Sequence, residues 1–187
     1  MAIRPLATGP SASGRPAGRA AVAGRLHYRL DVLARDVADT VAAAGGWLFD
    51  RAMAGWEIDV WLAEPGDPRP LRILGARPHR LDGADGWADP ERIAGLAVAA
   101  DLLVGDRALA ERVGVCARTG DTEIAVWGAG APLGSAEPAW HRLSAAARSF
   151  KRQALNAVGH RPRAVADVER FTRTGWRPVD SDLLPVR

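Results

Sequence analysis

The spacing of the apolar residues changes between residues 28 and 63, and this change limits the folds that the chain can adopt. From 28 to 53 leucine, valine and alanine recur every three or four residues, which is the spacing of one helix face. This phase continues through Gly45-Gly46, and Gly55 is suited to end a helix. From 57 to 63 apolar and polar residues alternate, as in a half-buried strand. We therefore predict a helix over 28–53 and a strand over 57–63.

The remaining apolar segments predict further short elements. We expect a strand at Leu71–Leu74, a helix that begins at Asp89-Pro90, a short helix to Val113, a strand at Glu123–Trp127, a helix over 138–158 and a short helix at Asp167–Arg173. Aspartate is a preferred helix N-cap, and proline is favoured at the first helical position. The main elements follow the order α-β-β-α-β-α. This order predicts an α/β fold, a single small domain with a mixed three- to four-stranded sheet and helices mainly on one face.

Composition sets the expected limits of this domain at residues 26–178. Residues 1–25 are rich in Gly, Pro, Ala, Ser and Arg, which predicts a disordered basic arm. Residues 179–187 are expected to form an extended tail. The single cysteine, Cys116, excludes an internal disulfide and a multi-cysteine zinc site. No apolar run reaches the roughly 18 residues that a membrane span requires. We therefore expect a cytoplasmic bacterial protein without a membrane partner.

Charge is distributed unevenly along the chain. Residues 1–30 carry five arginines and no carboxylate. Residues 31–140 carry ten arginines against eighteen Asp and Glu, and residues 141–178 carry nine Lys and Arg against two acids. Charge distribution bears on partners rather than on fold. The basic C-terminal part of the domain is therefore where we look for a partner-binding surface.

The helix predicted at 138–158 would present cations on one side. Its apolar residues share one arc and are Trp140, Leu143, Ala147, Phe150, Ala154 and Val158. The opposite side and the following residues form what we call the basic strip: His141, Arg142, Arg148, Arg152, Arg161 and Arg163. Such a strip either meets phosphates or an acidic protein surface, or is a solvated helix face. Trp61 shares its strand face with Glu57 and Asp59, so it is either an exposed interface anchor or covered by a helix.

No catalytic set stands out among the residues that usually carry one. The histidines are scattered and show no i, i+4 pair, and no G-x-S-x-G motif is present. The acidic loop either holds a divalent cation or is solvated, and its carboxylates are Asp82, Asp85, Asp89 and Glu91. We predict no metal and no cofactor. The favoured interpretation is a non-enzymatic interaction or regulatory protein that binds a protein or nucleic acid through the basic strip.

The segment from Gly128 to Ser135 supports an alternative function. Its glycines, Gly128, Gly130 and Gly134, together with Ser135, lie between a predicted strand and a predicted helix. Such a loop allows a phosphate to approach the backbone at a helix N-terminus. The alternative prediction is a Rossmann-like enzyme or sensor that binds a nucleotide or phosphate there. A plain connecting loop is the competing interpretation, and a small-molecule ligand is not excluded.

One segment resembles a known enzyme family. Ala44-Gly45-Gly46 and the run from Arg51 to Val60 are similar to the glycine pair, helix and second strand of the PIG-L-type zinc deacetylases. In that family a His-Pro-Asp-Asp-Glu run precedes the glycines and supplies metal ligands and a base. Here the corresponding stretch is Asp36-Val37-Ala38-Asp39-Thr40, which lacks the histidine. The resemblance covers about 25 residues. It supports an α/β fold and assigns neither zinc nor deacetylation.

Overall fold

A computed structural model describes residues 28–87, 93–119, 122–129, 136–175, 178 and 181–186. The strands found there are β1 (Arg29–Ala34), β2 (Glu57–Leu62), β3 (Arg77–Arg80), β4 (Gly95–Ala99), β5 (Glu123–Trp127), β6 (Glu137–Arg142), β7 (Val168–Gly175) and β8 (Leu184–Pro185). The helices are α1 (Val37–Met53), α2 (Arg69–Ile73), α3 (Ala100–Gly105), α4 (Arg107–Thr119) and α5 (Ala145–Ala157). The predicted basic arm, residues 1–25, lies outside the described residues.

The strands of the described residues form one mixed sheet in the order β3-β2-β1-β4-β5-β7-β6-β8. Strands β1 to β5 are mutually parallel, and β7, β6 and β8 pair antiparallel. The predicted α/β class and single domain are confirmed, but the sheet has eight strands instead of three or four. Parallel crossovers are right-handed, and the chain crosses the sheet in opposite directions from β1 to β2 and from β4 to β5. Helices α1 and α4 therefore cover opposite faces.

The predicted helix over 28–53 is wrong in its first third, which is strand β1. Every residue from Leu30 to Ala34 is buried, because the parallel sheet is covered on both faces. A strand buried on both faces has an apolar run whose spacing does not distinguish it from a helix. Asp36 then begins α1, since its side chain accepts a hydrogen bond from the Asp39 amide at 2.8 Å.

Three other predicted elements adopt a different structure. The predicted strand at 71–74 lies largely within α2, and the predicted short helix at 167–173 lies almost entirely within β7. The predicted helix over 138–158 is divided into β6 and α5, because Ser144 caps α5 by accepting a hydrogen bond from the Ala147 amide at 2.9 Å. The start predicted at Asp89-Pro90 lies outside the described residues, and the apolar residues after it form the buried strand β4. None of the described helices has the length and apolar composition needed to cross a membrane.

Helix α1 packs closely against the segment from β6 to α5 at its glycine pair. A Cβ atom at Gly46 would lie 2.4 Å from Cδ2 of Leu143, and one at Gly45 would lie 3.2 Å from Cδ1 of Leu74. Real Cβ atoms do not approach other heavy atoms as closely as 2.4 Å. Packing therefore favours glycine at position 46, although glycine weakens a helix interior. A methyl group at Gly45 would require Leu74 to shift by only a few tenths of an ångström.

A buried carboxylate from β7 joins α1 to the rest of the domain. Oε1 of Glu169 accepts a hydrogen bond from the Gly46 amide and Oε2 accepts one from the Trp47 amide, each at 2.8 Å. Nζ of Lys151, on α5, donates to Glu169 at 2.5 Å and to the Ala42 carbonyl at 2.6 Å. Burial raises the pKa of Glu169, and the Lys151 charge and the hydrogen bonds to this carboxylate oppose that shift. One ion pair thus connects α1, α5 and β7.

Replacement of Gly46 with alanine should destabilise the domain. The new methyl group must displace Leu143, and such overpacking typically costs about 1–3 kcal/mol in free energy of unfolding. The matched control is Gly105→Ala on α3, where a Cβ meets nothing within 4 Å. Urea denaturation compares the two, and an equal effect of both substitutions would contradict the packing described here.

Replacement of Lys151 with methionine should be more damaging, because Glu169 would stay buried without its cation. Loss of one partner from a buried ion pair typically costs about 3–5 kcal/mol. Its neighbour Arg152 is exposed on the same helix, so Arg152→Met should change stability by no more than about 0.5 kcal/mol. Chemical denaturation of both variants measures the difference. A small loss for Lys151→Met would show that the pair contributes little.

Candidate functional site

The direction in which the chain crosses the sheet changes between the neighbouring strands β1 and β4. From β1 the chain proceeds outward to β2 and β3, and from β4 it proceeds the other way to β5. In open α/β sheets ligands bind in the crevice outside the carboxyl ends of the strands at such a point. The carboxyl ends of β1, β4 and β5 are therefore the first place to look for a site.

Two carboxylates stand at this edge in the first turn of α1. Asp36 is the N-cap, and Asp39 is exposed one turn later. Nε1 of Trp127, the last residue of β5, donates a hydrogen bond to Oδ2 of Asp39 at 2.8 Å. The helix dipole favours negative charge at these positions. The indole fixes one oxygen of the Asp39 carboxylate beside the point where the chain changes direction.

A cation lies at the same edge, at the end of β1. Nε of Arg35 donates to Oδ2 of Asp101, in the first turn of α3 after β4, at 2.6 Å. Its Nη1 donates to Oε1 of Glu64, after β2, at 3.4 Å. The hydrogen bond and charge of Asp101 raise the pKa of Arg35, which is a permanent cation. Arg35 also borders a cavity of about 320 Å³ whose apolar walls include Leu81 and Leu102.

The structure does not assemble the basic strip as predicted. His141 lies on β6 and is buried, with Nε2 at 3.0 Å from Oδ2 of Asp50 and Nδ1 at 3.1 Å from the Asp182 carbonyl. Arg148 donates to the Leu143 carbonyl at 3.0 Å. The other members are exposed on β6, on α5 and in the following loop: Arg142, Arg152, Arg161 and Arg163. The strip required one continuous helix, and the strand that replaces its first half separates its members.

Trp61 is half-buried and lies near the β3 edge of the sheet. Its ring stacks on the His79 imidazole, with centroids 4.6 Å apart. His79 Nε2 lies 2.7 Å from Oδ1 of Asp59. Burial acts to raise the pKa of Asp59, but hydrogen bonds from His79 and Arg77 outweigh it and hold that pKa below its usual value. Trp61 is therefore neither a fully exposed interface anchor nor covered by one of the described helices, since the His79 side chain covers part of its ring.

The loop proposed for phosphate binding leads to a strand. Gly128 has a φ of 86°, a conformation that favours glycine, while Gly130, Gly134 and Ser135 lie outside the described residues. The next described element is β6, so the helix N-terminus required by the phosphate prediction is absent from residues 136–142. In the predicted acidic loop Asp82 pairs with Arg80. Asp85 pairs with Arg112, and Asp89 and Glu91 are outside the described residues.

Sequence reasoning did not select Arg35, Asp36 or Asp39 as site residues. Asp36 and Asp39 belong to the Asp36–Thr40 stretch that precedes the glycine pair. The family resemblance therefore pointed to the segment that contains them. Trp127 and Asp101 reach the same edge from distant parts of the chain. Their proximity depends on the strand order, which the sequence pattern did not predict.

The donor set at this edge does not fit the zinc ion that the family resemblance implies. Zinc requires three or four nitrogen, sulfur or oxygen donors from the protein. Among residues 28–87, 93–119, 122–129 and 136–175, no three His, Cys, Asp or Glu side chains gather as a metal-ligand group. His79 and His141 are paired with Asp59 and Asp50 instead. The chemistry of the site therefore has to be derived from its carboxylates and arginine.

Comparison with known proteins identifies the fold. No family model matches the chain, and no curated protein matches it. A solved structure of a deacetylase–teicoplanin complex from the teicoplanin biosynthesis pathway has a TM-score of 0.51 and 12% identity, covering 82% of this chain and 100% of that one. A deacetylase of an antimicrobial pseudoaglycone has a TM-score of 0.48 and 13% identity, with 80% and 97% coverage. A conserved protein from Thermus thermophilus has a TM-score of 0.42 and 15% identity, with 84% and 96% coverage.

The first of these structures corrects the predicted function. The chain shares its fold with a deacetylase, which is a hydrolytic enzyme. The prediction of a partner-binding protein is therefore wrong. The alternative of nucleotide or phosphate binding at the glycine loop is not supported either.

Replacement of Trp127 with phenylalanine should test the hydrogen bond that fixes Asp39. The matched control is Trp87→Phe, because both indoles are 3% exposed and Trp87 Nε1 has no hydrogen-bond partner among the described residues. Loss of the donor should make Trp127→Phe less stable than the control variant by about 1 kcal/mol. Urea denaturation provides the comparison. Equal losses would show that the Asp39 contact contributes nothing.

Proposed function

We propose that this protein is a hydrolase that removes an acetyl group from a small acetylated substrate at the carboxyl edge of its parallel strands. The observation that supports this most directly is the position of Asp39. Its carboxylate stands in the first turn of α1, held by the Trp127 indole at 2.8 Å, at the edge where α/β folds bind ligands. The shared fold with a deacetylase supports the same reaction class.

The proposed step uses side chains of this chain alone. Asp39 acts as general base and accepts a proton from a water molecule, whose oxygen attacks the acetyl carbonyl carbon. Arg35 has five N–H donors, of which the hydrogen bonds to Asp101 and Glu64 use two, and another donates to the oxygen that becomes negative on that carbonyl. The bond between the carbonyl carbon and the amine or alcohol then breaks, and the leaving group takes the proton from Asp39. Acetate and the free amine or alcohol are the products.

The reaction partner implied by this proposal is a small molecule. The cavity of about 320 Å³ beside Arg35 has room for part of such a substrate. The teicoplanin deacetylase suggests a natural-product substrate, and a cytoplasmic location for the reaction remains a prediction.

Acetate release tests the proposal directly. The purified protein is incubated with N-acetylglucosamine, an N-acetylated peptide and p-nitrophenyl acetate, and acetate is followed by proton NMR. At least one substrate should be hydrolysed above the rate without protein. Asp39→Asn should lower that rate by a factor of about 100 or more, the usual contribution of a general base.

The controls separate the proposed base from a nonspecific or metal-dependent reaction. Asp167→Asn removes an exposed carboxylate that pairs with Arg148 of α5, and it should leave the rate unchanged. A metal chelator should also have no effect. The proposal is wrong if no acetate appears, if Asp39→Asn is as active as the unmodified protein, or if chelation abolishes a rate that zinc restores.

A further inference from the structure

A second cavity lies at the opposite edge of the sheet, at the amino ends of β1, β2 and β4. It has a volume of about 370 Å³. Residues that directly precede these strands, Tyr28, Trp56 and Ala94, form one side of it. Arg51 of α1 and Asp182 of the C-terminal segment form another. The proposed hydrolase site does not use this cavity.

Aromatic rings and one guanidinium group form a continuous stack along the cavity. The guanidinium of Arg51 lies between the rings of Trp47 and Trp56, at 4.5 Å and 4.2 Å from their centroids. The Trp56 ring in turn lies 5.1 Å from that of Tyr28, at an interplanar angle of 31°. Tyr28 is 44% exposed and ends the stack. Aromatic rings pair favourably at these separations, so a further flat ring can extend the stack at Tyr28.

The hydrogen bonds of Arg51 leave one donor without an acceptor. Nη2 donates to Glu123 at 2.8 Å and to Asp182 at 2.6 Å, and Nε donates to Asp182 at 3.2 Å. Nη1 is buried and has no hydrogen-bond partner among the described residues. A Cβ at Gly95 would lie 3.2 Å from Nη1, so glycine keeps the surroundings of this nitrogen open. Buried donors are almost always satisfied, so this nitrogen can take a further acceptor.

Charge restricts the kind of acceptor that fits. The single positive charge of Arg51 faces two carboxylates, Glu123 and Asp182. Burial acts to raise the pKa of Asp182, but the hydrogen bonds and charge of Arg51 outweigh it and keep that pKa below its usual value. The guanidinium is therefore already neutralised, and an anionic ligand would add uncompensated negative charge. A neutral carbonyl group can accept from Nη1, and an attached amide nitrogen can donate to Asp182.

We propose that this cavity binds a neutral aromatic carboxamide, with its ring on Tyr28 and its amide against Nη1 of Arg51 and the Asp182 carboxylate. The ring extends the existing stack, the carbonyl oxygen accepts from the unpartnered Nη1, and the amide nitrogen donates to the carboxylate. The site is separate from the carboxyl edge and does not depend on the proposed hydrolysis.

Three matched probes test the chemistry of the site. Benzamide contains the ring and the neutral amide, benzoate replaces the amide with a carboxylate, and cyclohexanecarboxamide replaces the aromatic ring. Ligand-observed NMR titration should give a dissociation constant of about 1 mM for benzamide, as expected for a ligand of this size. Benzoate should bind at least about 10-fold more weakly and cyclohexanecarboxamide at least about 3-fold more weakly, because each lacks one of the stated interactions.

Two aromatic variants locate the bound ring. Tyr28→Ala should weaken benzamide binding at least about 5-fold through loss of the stacking surface. Phe150→Ala is the matched control, since Phe150 is also 44% exposed but stacks on Phe49 away from this cavity. It should leave the affinity unchanged. The proposal is overturned if no binding is seen at a benzamide concentration 10-fold above the expected dissociation constant. It is also overturned if benzoate binds as tightly as benzamide, or if Tyr28→Ala does not change the affinity for benzamide. Because binding is measured without turnover, the result is independent of the hydrolysis assay.

Discussion

The carboxylate of Glu169 is the contact on which most of this domain depends. It accepts two backbone hydrogen bonds from the middle of α1 and pairs with Lys151 of α5, so the helix, the sheet and the second helix meet at one buried charge. A helix normally satisfies these amides internally. Here two of them bond to a side chain from another element, and the Ala42 carbonyl accepts from Lys151. The first helix is therefore tied in place by polar groups as well as by apolar packing.

By holding α1 in place, these contacts also determine which charged residues lie at the two edges of the sheet. The first turn of α1 carries Asp36 and Asp39 to the carboxyl edge, and its last turns carry Arg51 to the amino edge. One helix thus carries charged groups to both edges of the sheet. The two edges differ in character, since the carboxyl edge has exposed ion pairs and the amino edge has a guanidinium enclosed by aromatic rings.

The sequence allowed the class of the fold to be predicted, together with those elements whose pattern is unambiguous. The strands at 57–62 and 123–127 were recognised because their apolar pattern is short and bounded by turns. At β1 the sequence predicts helix, because a strand buried on both faces has no period-2 pattern. The helix predicted over 138–158 failed because Lys151 and His141, polar in the sequence, are buried by specific partners, whereas Phe150 is exposed. Asp39 is held in position by a hydrogen bond from Trp127, which lies 88 positions away in the sequence, so no local sequence pattern could predict this contact.

The position of β7 in the sheet has a consequence for how the chain folds. This strand lies between β5 and β6, although it follows both in sequence, and β6 has no pairing with β5. The amides of Gly46 and Trp47 likewise donate hydrogen bonds to Glu169, which is 123 and 122 residues away in the sequence. Contacts between such distant residues slow folding, because a long loop must close before they form. The polar contacts that hold the first helix against the sheet therefore form only after β7 has been synthesised.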